Sequence, residues 1–126
     1  MMIIKITPKT LAEVQASQID TITKSCASAI VGGFSSSALG TAHTYPSQPN
    51  DQSNLIGCVA SGLANVGFWC ADSAGVWAIR SHTAAQIKKV LADGGKIRMG
   101  CSTKLDTKVK DINAATTVSA VKLIVW

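Results

Sequence analysis

Apolar and polar positions alternate most sharply between Gly67 and Val90, where GFWCADSAGVWAIRSHTAAQIKKV reads as a β-hairpin running into a helix. FWCA and VWAIR are short runs rich in aromatic and β-branched residues, and Asp72-Ser73-Ala74-Gly75 between them is turn chemistry. A loop of those four residues sets Ala71 opposite Val76, Cys70 opposite Trp77 and Phe68 opposite Ile79. One face then carries Phe68, Cys70, Trp77 and Ile79, the apolar side a half-buried sheet needs. The other carries Trp69, Ala71, Val76, Ala78 and Arg80, a mixed surface suited to a partner. Ser81 or Thr83 caps the helix that follows, with Ile87, Val90 and Leu91 turned inward. The same apolar phase continues through Gly94, Cys101, Leu105 and Ile112 in steps of three and four. A long helix to about Asn113, bent or loosened at Gly94-Gly95, is the expectation.

The rest of the chain is read in the same way. Met2 to Ile6 is β-prone, and Thr7 before Pro8 resembles a helix start, a capping hydroxyl followed by proline at the first helical position. From Lys9 to about Val31, Leu11, Val14, Ile19, Ile22, Cys26 and Ile30 line one helical face, with Gln15, Gln18, Asp20, Thr21 and Lys24 on the exposed one. Gly32-Gly33 ends that helix. Phe34 to Gln52, with its serines, prolines and glycine, predicts an ordered loop or a short extended piece. Asp51 caps a helix from Gln52 to Leu63 whose inward residues are Leu55, Ile56, Val59 and Leu63. Thr117 caps a short last helix carrying Val118 and Val121, and the closing LIVW is β-prone enough to pair with Met2–Ile6. The expected fold is α+β and predominantly helical: long helices packed with one β-hairpin in a single domain. Residues 1–15 supply the N-terminal strand and helix start, and 16–126 the main globular part.

At 126 residues the chain can bury a core without disulfide or metal staples. Its net charge of +5 raises the question of nucleic acid. The lysines between Lys88 and Lys110 are interspersed with Asp93, Asp106 and Asp111 and with no aromatic residue, which describes a solvated helix face better than a nucleic-acid interface. Cys26, Cys58, Cys70 and Cys101 are scattered, none in a C-x-x-C, and His43 and His82 do not complete a zinc spacing. Buried reduced thiols are the expectation, with no metal and no cofactor. No phosphate loop, dinucleotide fingerprint or zinc-protease motif is present, and no apolar run approaches a membrane span. Asp51 and Asp72 read as a cap and a turn, so no catalytic residue is assigned and the protein is not expected to be an enzyme. The start MMIIKITPKT lacks the features of a signal peptide.

One ordered set of segments carries a resemblance. It comprises a helix with Cys26-Ala27-Ser28-Ala29-Ile30, then Ala38-Leu39-Gly40 with His43-Thr44-Tyr45-Pro46, and Asp51-Gln52-x-Asn54-Leu55. Trp77 with His82-Thr83-Ala84-Ala85-Gln86, and Ala115-Thr116-Thr117-Val118 with Trp126, complete it. Together these resemble an uncharacterised domain family of tailed-bacteriophage tail proteins, associated with tail fibres or tail assembly, over roughly Ala16 to Trp126. Family members often hang from a larger protein, whereas only a short segment precedes the domain here. The resemblance implies a virion tail protein made in the host cytoplasm, with other phage tail proteins as partners and self-association into a homo-oligomer. It points to a structural component of the tail, baseplate or fibre attachment. A fibre-assembly chaperone absent from the mature virion is the alternative, and a receptor- or glycan-binding tip a further one. The candidate interface residues are Tyr45, Trp69, Arg80 and Trp126, with Trp69 and Tyr45 as the stacking surface for a host glycan.

Overall fold

The computed structural model describes residues 9–126. The order of elements is α1 (Leu11–Val31), β1 (Phe34–Ser36), β2 (His43–Tyr45), α2 (Pro49–Ala60), β3 (Asn65–Ala71), β4 (Trp77–Thr83), α3 (Ala84–Ala114) and α4 (Val118–Lys122). The fold is α+β and mostly helical, with, among the described residues, one antiparallel sheet in the order β1-β2-β3-β4. The expected strand at Met2–Ile6 and the cap at Thr7-Pro8 lie outside the described residues. Two compact units can be distinguished: the described residues up to Cys26 with Thr103–Trp126, and Ala27–Ser102. Residues 15 and 16 both lie within α1, which is continuous across them. No helix among the described residues is long and apolar enough to cross a membrane.

Most helix starts are closed locally. The Thr10 hydroxyl accepts the Glu13 N–H at 3.2 Å and donates to the Glu13 carboxylate at 3.0 Å. At α3, Thr83 and Gln86 exchange bonds reciprocally, the Gln86 N–H to Thr83 Oγ1 at 3.1 Å and the Thr83 N–H to Gln86 Oε1 at 2.8 Å. Thr117 Oγ1 accepts from the Ala120 N–H, as its position before Val118 predicts. Asp51 does cap α2, but from inside it: its carboxylate accepts the Gln48 N–H at 3.0 Å, and the helix begins at Pro49 rather than Gln52. Helix α3 runs unbroken through Gly94-Gly95 to Ala114.

In the unit of Ala27–Ser102, Phe34, Tyr45, Val66, Phe68 and Cys70 from the sheet pack with Leu55 of α2 and with Ile87 and Val90 of α3. Ile56 and Leu63, expected inward, are exposed, since α2 ends at Ala60 and turns only its Leu55 edge to the sheet. The segment expected to be an ordered loop or a short extended piece contributes the β1–β2 hairpin, in register Phe34–Tyr45, Ser35–Thr44 and Ser36–His43. Alternation decides its faces: Phe34, Ser36, His43 and Tyr45 are buried, Ser35 and Thr44 exposed. β2 meets β3 only at Thr44–Ala71. The next residue able to continue that ladder is Pro46, which has no N–H to give. Ser47 then ties the turn to the end of α1, donating to the Ile30 carbonyl at 2.7 Å and accepting the Gly33 N–H at 2.8 Å.

In the other unit, Val14 and Ile22 of α1, Ile112 of α3 and Val121 of α4 form the core, flanked by Leu105, Val109, Ile124 and Trp126. Gln15 and Gln18, expected on the open face of α1, are half-buried. The Gln15 amide donates to the Ile112 and Ala115 carbonyls at 3.1 and 3.2 Å, and the Gln18 amide to the Ile124 carbonyl at 2.6 Å. Gln15 thus adds a donor where α3 ends, and Gln18 one just beyond α4. Residues 123–126 form no strand.

Candidate docking surface

The β3–β4 hairpin is where the fold departs most from expectation. Its pairs are Ala71–Trp77, Cys70–Ala78, Trp69–Ile79 and Phe68–Arg80, one residue away from the register a four-residue loop would give. The loop has five residues. The Asp72 N–H donates to the Val76 carbonyl at 3.1 Å, and Asp72 Oδ1 accepts the Ala74 and Val76 N–H groups, each at 3.0 Å. Gly75 takes a positive φ of 80°, which a residue with a β-carbon rarely adopts. Because side chains alternate strictly, a one-residue slip moves every side chain of β4 to the other face. Trp77 and Ile79, expected in the core, are outside; Ala78 and Arg80 turn inward, and His82 is fully buried.

The outer face therefore carries an apolar strip. Trp69 and Trp77 stack with ring centroids 6.0 Å apart and planes 19° from parallel, and Ile79 beside them is 65% exposed. A β-carbon at Gly67 would stand 2.8 Å from Ile79 Cγ2, so the glycine is what lets Ile79 lie flat across β3. Next to the strip an open cleft of about 500 Å³ runs between α2 and β3, lined by Asn54, Cys58 and Ser61 on one side and Gly67 and Trp69 on the other.

Arg80 braces this surface from behind, with its guanidinium engaged within the hairpin. Its guanidinium donates to the Cys70 and Val76 carbonyls, the latter at 3.0 Å, and pairs with Asp72 at 3.4 Å. The Val76 N–H, with that of Ala74 and the Arg80 charge, holds the Asp72 carboxyl below its ordinary range.

Tyr45, expected as an interface residue, is completely enclosed. Its position in β2 places it on the core face, stacked on Phe34 at 5.7 Å and Phe68 at 6.2 Å between ring centroids. Its hydroxyl lies 2.7 Å from His82 Nε2. His82 Nδ1 lies 2.8 Å from the Arg80 carbonyl, which can only accept, so Nδ1 carries the proton and Nε2 accepts from Tyr45. A surface glycan cannot reach Tyr45. Trp126 is half-buried in the other unit, with Lys104 Nζ 4.3 Å from the centroid of its ring, and serves there as packing. Of the four interface candidates, only Trp69 lies on the exposed strip. Trp77 and Ile79 were hidden by the register, and the Asp72 side chain was the one signal for the longer loop.

Cys70 and His82 are both buried in the core layer, and His43 Nδ1 is 2.9 Å from the Thr41 carbonyl. Among the described residues no three His, Cys, Asp or Glu side chains are grouped to hold a metal ion.

Burial lowers the pKa of His82, because the ring ionises less readily away from water. Above the unfolded value near 6.5 both states are neutral and this contribution to stability is fully present. As pH falls below it, the unfolded chain takes up a proton that the folded chain resists, and stability is lost down to the folded pKa. Urea midpoints are thus expected to fall between about pH 7 and pH 5, above the range where ordinary carboxylates titrate. A flat profile across that interval would contradict the neutral, enclosed imidazole.

Comparison with protein-family models, with curated proteins and with solved structures finds no match to this chain.

Proposed function

We propose that the protein is a non-catalytic structural component of a bacteriophage tail, working by protein–protein assembly through the outer face of the β3–β4 hairpin. The observation that carries the assembly reading is the Trp69–Trp77–Ile79 strip. Large apolar side chains stand together in solvent on a hairpin whose turn is cross-braced by Asp72 and Arg80. Contiguous exposed apolar area of this kind marks interaction surfaces, and stacked tryptophans are characteristic anchors of them. Placement in a phage tail rests on the resemblance carried by the His43–Pro46, Asp51–Leu55, His82–Gln86 and Ala115–Val118 segments. The partners are then other tail proteins and further copies of this chain, and the place of action is the virion.

The test is quantitative mass spectrometry of purified tailed particles from the host that encodes the chain. A fixed stoichiometry to the tail proteins, in several copies per particle, is the expected result. Presence in infected cells but absence from finished particles would instead identify a fibre-assembly chaperone.

A further inference from the structure

We infer that β4 is the pairing edge for a second copy of the same chain, joined antiparallel about a two-fold axis through Ile79. This deepens the assembly reading by naming the partner. The two fail separately, since a monomer can sit in a particle and a dimer can form outside one.

The argument begins with the direction of the backbone. Among the described residues β4 is the last strand of the sheet. The bonds Asp72 N–H to Val76 carbonyl and Ala84 N–H to Ala64 carbonyl fix which pairs of the ladder are hydrogen-bonded. By alternation these include Cys70–Ala78, Phe68–Arg80 and Val66–His82. Trp77, Ile79 and Ser81 consequently aim their N–H and C=O groups away from β3. Natural edges usually carry proline, lysine or a bulge that discourages pairing. Trp77–Thr83 has no proline and no lysine, and its register is unbroken over seven residues.

Self-complementarity selects a second copy over a foreign strand. With Ile79 opposite Ile79 of the second copy, Trp77 faces Ser81 and Ser81 faces Trp77, so all three outward residues are used. That makes about six ladder bonds. Each tryptophan then lies diagonal to the opposite Ile79, within reach of an indole ring. Charge agrees: Arg80 is the only charged residue of β4, it is held by Asp72, and it falls opposite Ala78 rather than another arginine. Two basic chains thus meet along a strip where no like charges oppose.

Sedimentation equilibrium over the micromolar range, with hydrogen exchange of the β4 amides, tests this. The expected result is a dimer in which the Ile79 and Ser81 amides exchange slowly. Ile79→Lys, which sets two cations against each other at the axis, weakens it about tenfold or more. Ser81→Pro removes an outward donor without touching the β3 ladder and weakens it independently, so the test survives if one variant folds poorly. Leu123→Lys, at another exposed apolar residue, leaves the dimer unchanged. A protein monomeric throughout, a dimer indifferent to both edge variants or equally weakened by Leu123→Lys, or slow β4 amides in a monomer would each overturn the inference.

Discussion

Tyr45→Ala is expected to lower the free energy of unfolding by about 3–5 kcal/mol, a large part of what a domain this size has. The ring stacks on both Phe34 and Phe68 and is wholly enclosed, so its removal leaves a cavity lined by groups that cannot all collapse into it. Tyr45→Phe keeps the ring and removes only the hydroxyl that donates to His82 Nε2. The acceptor is then enclosed with no donor, a cost of about 1–3 kcal/mol. Denaturant titration of the two variants separates packing from the hydrogen bond. A phenylalanine variant as stable as the parent would show that the hydroxyl bond adds nothing.

Adjacent glycines in α3 should respond in opposite directions. A β-carbon at Gly94 would lie 2.8, 3.0 and 3.3 Å from three atoms of the Phe34 ring. That ring is stacked on Tyr45, which hinders its retreat on that side. Overpacking of this kind costs about 1–3 kcal/mol, against roughly 1 kcal/mol gained from alanine's helix propensity, so Gly94→Ala is expected to be net destabilising. At Gly95 nothing lies within 4 Å, and Gly95→Ala should gain about 0.5–1 kcal/mol. Thermal or urea melts of both variants check the prediction. Changes of the same sign would mean that the Phe34–Gly94 contact does not govern the position.

That pair also shows what the sequence could reveal. Two consecutive glycines ordinarily argue for a helix end, yet the apolar phase through Ile87, Leu91, Leu105 and Ile112 carried across them, and α3 is indeed one helix. Periodicity over so many turns outweighs two weak residues. The reason for Gly94 is a ring sixty residues earlier in the chain, and no local pattern contains it. The hairpin shows the reverse: a strong local signal located β3 and β4, while a single loop residue decided whether Trp77 faced the core or solvent. Asp72 accepts from both Ala74 and Val76, which draws Val76 into the loop; turn composition alone does not distinguish four residues from five. Tyr45 lay in a stretch of serines and prolines where three-residue strands leave almost no alternation to read. Its enclosure depends on β2 pairing with β1 on one side and touching β3 on the other.

Tyr45 is also the chain's only tyrosine, and burial, reinforced by the nearby Cys70 thiol, pushes its hydroxyl to ionise well above the ordinary range. Phenolate absorption in alkaline solution therefore arises from one ring and is withheld while that ring stays enclosed. The molecule carries a built-in optical label whose colour change marks the opening of the layer between sheet and helices, with no added dye.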